Sequence, residues 1–502
     1  HVLDELPVRN VVSWNVLISG YVQHNQGHEA LNCFEHMQKE GLSPNRVTFI
    51  CSLNACRSIE ALGKAERIHA EIVDKGLLEK DLALTTALVD MYAKCGVLAK
   101  AQQVLEELHV RDTVSWNVLI AGYAQQGQDN EALDCFAQMQ REGLSPNEVT
   151  FCCALKACGN TGSINMGKKI HDEIIERGLL KKNIVLGTAL VDMYAKCCDL
   201  AKAQKVLKDL HVRDIVSWNA LIAGYIQVGQ SHEALNCVSQ MQREGLPPDE
   251  VTFACILKAC GSIGAIDKGK QIHEEIINGG LLKRNIVLNN VLVDMYAKCG
   301  AFAKAQQVLE ELPVRGVISW CALISGYARE GDFRQVHDMF TRMQQEGLSP
   351  DEVTFLCVLN ACNQSGNLEE AQMYYENMRN RYGIAPNLEH HSCMVTIFGH
   401  SGFFDKALSV IQAMPSSSGS ESILWLALLN ACRKWGNVKL GRMAFEHAIR
   451  LDQKCISVYI CMWNIYVGAG MHGHANKIEA MRIQNGAGQN QNALVNLTHE
   501  FK

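Results

Sequence analysis

The chain repeats itself every 102 residues. "VDMYAKC" occurs at Val89–Cys95, Val191–Cys197 and Val293–Cys299, and "VSWN" recurs with the same period at Val12, Val114 and Val216. Self-similarity at a fixed period is the mark of a repeat architecture, in which each unit buries its apolar face only against its neighbours. The period divides further. Val11–Asn45 is 35 residues, Arg46–Asp81 is 36 and Leu82–Asp112 is 31. The same division runs through residues 113–214 and 215–316, and a fourth round opens at Val317 and diverges up to residue 421. Residues 1–10, with "ELPVRN", match the end of a short unit and are expected to be its truncated remnant. The chain opens on His1 rather than Met, so a preceding segment, including a targeting peptide, is expected.

Each unit reads as two helices. Trp14, Val16, Leu17, Ile18 and Tyr21 include pairs at helical spacing, with Ser13 expected to cap the helix. "HNQG" makes the turn, and Ala30, Leu31, Cys33, Phe34 and Met37 mark the second helix. Gly41 stands where a helix end needs a left-handed residue, and Pro44 blocks continuation. No stretch alternates as a strand does. The spacing therefore predicts an all-α fold, a right-handed superhelical solenoid of helix-turn-helix repeats with an inner groove.

Composition excludes several classes. No apolar run reaches membrane-spanning length, so no membrane is expected as partner. The net charge of −6 supplies no bulk basic field for gripping phosphate. The 21 cysteines include four pairs five residues apart, Cys51/Cys56, Cys153/Cys158, Cys255/Cys260 and Cys357/Cys362. Zinc sites use shorter spacings, so these read as small apolar side chains in a reducing compartment. His69/Glu71, His171/Glu173 and His273/Glu275 are H-x-E pairs one period apart, read as a repeated polar helix surface. No C-x-x-C accompanies them, so neither a metal site, a cofactor nor catalytic residues are expected.

Trp14, Leu17 and Tyr21 fit the tetratricopeptide spacing, but Gly20 is displaced from its place, and that pattern does not cycle through 35, 36 and 31 residues. "VVSWNVLISGYVQHNQGHEALNCFEHMQKEGLSPN", "EVTFCCALKACGNTGSINMGKKIHDEIIERGLLKKN" and "IVLGTALVDMYAKCCDLAKAQKVLKDLHVRD" instead resemble the P, L and S motifs of the plant pentatricopeptide repeat family. The resemblance runs over residues 1–489, and residues 422–489 are similar to the two E-type motifs of the same subclass. The tail at residues 490–502 matches no motif and is expected to be disordered. The subclass often ends in a DYW-type cytidine deaminase domain, whose H-x-E and C-x-x-C signature is incomplete here.

The resemblance implies which residues touch RNA. In the family the fifth and last residues of a unit read one base together, and the second wedges between bases. Transferred here, Asn15 with Asn45 implies C with U tolerated, Thr86 with Asp112 implies G, and Asn117 with Asn147 implies C or U. Thr188 with Asp214 implies G, and Asn219 with Asp249 implies U. Asp only accepts hydrogen bonds and suits the protonated ring nitrogens of U and G, whereas Asn also donates and suits C and A. The wedge positions are Val12, Val114, Val185, Val216, Val287 and Ile318, for which core packing is the competing reading. Ile50, Cys152 and Ala254 in the 36-residue units make no specific hydrogen bond, and Asn290/Gly316 and Cys321/Asp351 depart from usable pairs. With the family's parallel orientation the implied target is 5′-Y-n-G-Y-n-G-U-n-3′.

By resemblance, the chain is a non-enzymatic site-recognition factor for single-stranded RNA in a mitochondrion or chloroplast. The implied process is C-to-U editing, with a deaminase or editing accessory protein recruited through the E-type motifs. The alternatives are an RNA-stabilising or splicing factor and a tetratricopeptide-like protein scaffold.

Overall fold

The computed structural model describes residues 9–78, 81–107, 111–181, 183–283, 285–312, 314–414 and 421–486. Most of the expected truncated unit at residues 1–10 and the expected tail at 490–502 lie outside these residues. Among the described residues there are 28 α-helices and no strand. They form antiparallel hairpins, and each unit start read from the sequence is a helix start. The first period holds α1 (Val11–Gln23) and α2 (Gly27–Lys39), α3 (Arg46–Ser58) and α4 (Leu62–Asp74), and α5 (Leu82–Lys94) and α6 (Leu98–Glu106). First helices pack on their hairpin partners and on the first helices of adjacent hairpins, as α1 does on α2 and α3, and α3 on α5. By its contacts the chain divides into two compact units, residues 1–255 and 256–502, each a stack of such hairpins.

Helix entry differs from the Ser13 cap expected above. Asn10 is the cap: its Oδ1 accepts from the Ser13 N–H at 2.9 Å, and Ser13 Oγ accepts from the Asn10 N–H at 3.0 Å. This is a reciprocal capping box in which a hydroxyl takes the place of the usual Glu or Gln. Ser13 is therefore the third helical residue, and the residue ending one unit starts the first helix of the next. Asn45, Asn147, Asp214 and Asp351 sit in the same device.

The core lies between the stacked helices. On α5, Leu84, Leu88, Val89, Met91 and Tyr92 are fully buried, at about 2 kcal/mol each by area. Three of them belong to "VDMYAKC", which is thus mainly architecture. Each 35-residue unit also closes with a polar clasp. The Trp14 indole N–H donates to Glu40 Oε2 at 3.1 Å, and Arg9 pairs with Glu40 at 2.6 Å. Trp116, Glu142 and Arg111 repeat the clasp, as do Trp218, Glu244 and Arg213, and Trp320, Glu346 and Arg315.

Turns between helices use glycine in the left-handed region, as expected for Gly41 with φ of 78°. Cys198 adopts φ of 62° where the other copies carry Gly96 and Gly300. A side chain in that conformation costs about 1 kcal/mol. Cys198→Gly should therefore raise stability by about 1 kcal/mol, read as a higher urea midpoint. An unchanged or lower midpoint would contradict the assignment of strain.

Candidate nucleic-acid interface

The three Asn positions are built alike. Asn15 lies on α1, Asn117 on α7 (Thr113–Gln125) and Asn219 on α13 (Ile215–Gln227). Each is at most 9% exposed. Each amide is held at both ends. Asn15 Nδ2 donates to Asn45 Oδ1 at 3.1 Å, while Thr48 Oγ1 donates to Asn15 Oδ1 at 2.6 Å. Asn117 Nδ2 reaches Asn147 Oδ1 at 3.0 Å, and the Thr150 hydroxyl donates back to Asn117. Asn219 Nδ2 reaches Asp249 Oδ1 at 3.0 Å, and Thr252 Oγ1 reaches Asn219 Oδ1 at 2.7 Å. In these three units the fifth residue is thus fastened to the last. One amide proton and the cap's second polar atom stay unspent in these contacts.

The two Thr pairs are built differently. No hydrogen bond joins Thr86 to Asp112 or Thr188 to Asp214 among the described residues. Thr86 Oγ1 donates to Leu82 O at 2.8 Å within its own helix, so it offers lone pairs outward. Asp112 Oδ1 accepts from the N–H and hydroxyl of Ser115, and Asp214 Oδ1 from the N–H of Ser217. The Thr86–Asp112 pair presents acceptors only. In the 36-residue units Asp81 and Asn183 also cap helices. Cys321 keeps the Asn topology with a thiol, touching Thr354 Oγ1 at 2.7 Å and Asp351 Oδ1 at 3.5 Å.

The valines expected as wedges are not core. Val12, Val114, Val185, Val216, Val287 and Ile318 are all more than half exposed, Val12 at 66%. Four further residues at the same second position are as open and were missed: Val47, Val149, Val251 and Val353 of the 36-residue units. Their phase is visible in the sequence, but a Val there fits core and surface equally well until burial is known. A single exposed valine is unremarkable, whereas recurrence at one phase is not.

Other expectations change as well. The H-x-E histidines are only partly on the surface, His69 and His171 half-buried and His273 buried. His69, His171 and His273 each place Nδ1 at 2.9 Å from the hydroxyl of Tyr92, Tyr194 and Tyr296, the tyrosines of "VDMYAKC". Burial lowers the affinity of all three for a proton. Among the described residues no group of three or more His, Cys, Asp or Glu side chains is placed to hold a metal ion. Cys56, Cys158 and Cys362 are fully buried, and burial pushes each thiol up to about 12, far from a reactive thiolate. Their partners Cys51, Cys153 and Cys357 are only partly covered. No helix among the described residues is long and apolar enough to cross a membrane.

Comparison with known proteins decides the family. A model of the PPR repeat family matches residues 9–58, 111–160, 213–262 and 315–364, and a second, for the PPR repeat, matches 290–317, 353–382 and 389–418. The chain belongs to the pentatricopeptide repeat family. A mitochondrial pentatricopeptide repeat-containing protein of Arabidopsis thaliana is 34% identical over 465 residues, covering 92% of this chain and 83% of that one. A chloroplastic relative from the same plant is 31% identical over 483 residues, covering 96% of this chain and 55% of the relative. Among solved structures, the pentatricopeptide repeat protein PPR10, crystallised with an 18-nt psaJ RNA element, shares the solenoid fold with a TM-score of 0.58. It is 15% identical, over 97% of this chain and 86% of that one. The four stretches matched by the first model each begin just before the cap that precedes a 35-residue unit.

The clasp around Asp249 has a measurable consequence. Burial would push its carboxyl up, but hydrogen bonds from the Thr252 N–H and hydroxyl and from Asn219 outweigh it and hold the group below its ordinary value. A carboxylate stabilised in the folded state contributes stability above its unfolded pKa and loses it as pH falls through the folded value. Thr252→Val should therefore raise the Asp249 titration midpoint, followed by carboxyl carbon NMR. Its loss of about 1–2 kcal/mol at neutral pH should shrink below about pH 4. A loss that is constant with pH would refute this account.

Proposed function

We propose that this chain binds single-stranded RNA in a sequence-specific manner and serves as a site-recognition factor in organellar RNA processing. The observation that carries the reading is the fastening of Asn15, Asn117 and Asn219 to the caps Asn45, Asn147 and Asp249. Asn and Asp cap a helix about equally well, so the choice between them is free to encode a base. An Asp acceptor suits the ring N–H of uracil, and an Asn amide suits the ring acceptor of cytosine. The Thr86–Asp112 pair offers lone pairs only, which suits the N1–H and N2–H₂ edge of guanine, and Thr188–Asp214 has the same residue types. The exposed second-position valines supply apolar surfaces for splayed bases, as single-strand recognition needs.

The process we infer is C-to-U editing, with the deaminase supplied by another protein through residues 422–489, which resemble E-type motifs. The site of action is a mitochondrion or chloroplast, as the names of the relatives suggest. No residue of the chain is assigned a catalytic role.

A matching RNA should bind more tightly than one with both G positions changed to A, by about 1–3 kcal/mol per position. Equal gel shifts would refute base reading. Thr86→Asn with Thr188→Asn should move the preference at those positions from G toward U, an effect a protein-binding scaffold has no reason to show. Val47→Ser with Val149→Ser should weaken binding of every RNA alike, with stability changed by no more than about 0.5 kcal/mol. Unchanged affinity would remove the 36-residue units from the interface.

A further inference from the structure

The third residue of each 36-residue unit is a threonine, Thr48, Thr150, Thr252 or Thr354, and all four are fully buried. A capping box needs the hydroxyl only as an acceptor for the N–H of the cap. Thr48 Oγ1 accepts from the Asn45 N–H at 3.2 Å, and Thr150 Oγ1 from the Asn147 N–H at 3.0 Å. The hydroxyl proton is left over, and it meets the fifth residue of the preceding unit.

Backbone N–H groups can only donate, and they set the direction of every bond in the ring. The Asn45 N–H makes Thr48 Oγ1 an acceptor and leaves its proton for Asn15 Oδ1 at 2.6 Å, nearer than Asn45 Oδ1 at 3.0 Å. The Thr48 N–H donates to Asn45 Oδ1 at 3.0 Å, so the cap turns an oxygen toward Asn15, and Asn15 Nδ2 donates to it at 3.1 Å. The Asn15 carbonyl is thereby occupied, and the polar group it has left is an N–H. Thr150 and Asn147 hold Asn117 in the same way. At Thr252 the Asp249 carboxylate, 2.8 Å away, competes for the proton with Asn219 at 2.7 Å, so the hold is undivided only where Asn faces Asn. After the Thr86 and Thr188 units, Ser115 and Ser217 turn their hydroxyls on their own caps, Asp112 and Asp214.

A fifth residue that only donates resolves an ambiguity the cap leaves. An Asn cap suits a ring nitrogen that accepts, and cytosine and adenine both have one. The groups beside that nitrogen differ. Cytosine carries the acceptor O2, whereas adenine carries a C–H and an amino group and no acceptor.

We propose that Thr48 and Thr150 are specificity-determining positioning residues. By binding the carbonyls of Asn15 and Asn117 they fix each amide as a donor, so that these two units accept cytosine and reject adenine. The inference rests on the base-reading proposal above and deepens it. Without the hydroxyl, the carbonyl is left buried and unpartnered, and the amide is free to turn it toward the adenine amino group.

The test uses the whole chain and the RNA 5′-C-n-G-C-n-G-U-n-3′, against strands with A at either or both C positions, titrated by fluorescence anisotropy. Thr48→Val and Thr150→Val keep the side-chain shape and remove the proton. Each should lower the C-over-A ratio about tenfold at its own position and leave the G-over-A ratio opposite Thr86 unchanged. Thr48→Ser with Thr150→Ser, which keeps both hydroxyls, should hold the wild-type ratios even where the urea midpoint falls. Each single variant alters one junction in a stack whose stability is shared among neighbouring units, so the fold is kept. A threonine with a merely structural role would lower the urea midpoint of the Val variants and leave their C-over-A ratios intact. That result, or an equal loss of ratio in the Ser and Val variants, would overturn the proposal. Absence of any base preference in the wild type would instead overturn base reading. The side-chain amide proton signals of Asn15 and Asn117 would then still judge the hold: exchange with water that is slow in wild type and fast in the Val variants supports it, and exchange that is the same in both overturns it.

Discussion

The side-chain cap at the junction between units is the contact on which the rest depends. A helix leaves its first N–H groups without partners, and at most junctions here an Asn or Asp ending the previous unit accepts from the N–H of the third helical residue, a Ser or Thr as at Ser13, Thr48 and Thr150, or a Leu as at Leu84, Leu186 and Leu288. Each such cap is worth about 1 kcal/mol. In a stack, stability is shared between units and their nearest neighbours, so a faulty junction weakens both sides. The cap also sets the angle at which the chain re-enters the stack, and with it the position of the fifth residue on the new helix.

Fold and the proposed recognition use the same atoms. Asn45 Oδ1 caps α3 and receives the amide of Asn15, with Thr48 closing the ring. Where a side chain caps the junction it must supply an acceptor, and either Asn or Asp meets that need, whereas Gly316 ends its unit with no side-chain cap. The remaining freedom, donor or acceptor on the second polar atom, is where a base identity can be written at little cost to stability. Cys321 shows the converse. Its thiol keeps the contact with Thr354 but offers no amide, so the geometry survives without the donor that Asn supplies.

Much of the architecture was legible in the chain. The 102-residue period, the unit starts at Val11, Arg46 and Leu82 and the glycine turns all coincide with observed helices. Local signals failed where two residues could serve one role. Ser13 and Asn10 are both capping residues, and only the backbone, extended at Asn10 and helical at Ser13, separates them. The tyrosine partner of each H-x-E histidine lies 23 residues onward, on the next unit, and periodicity alone cannot pair side chains across units. The second-position valines of the 36-residue units had the right phase, yet Val is compatible with either core or surface until burial is known.

Sequence alone determined the repeat, its three unit lengths and the positions that vary inside an otherwise constant frame. Periodic burial needs only a recurrent apolar pattern, and that pattern is local. Tertiary structure decided which of the varying residues meet. It fastened Asn15, Asn117 and Asn219 to their caps, left Thr86 and Thr188 apart from theirs, and turned the second-position valines outward. Those outcomes depend on how one hairpin sits against the next, which is set by side chains some 30 residues apart in the chain and cannot be read from either segment by itself.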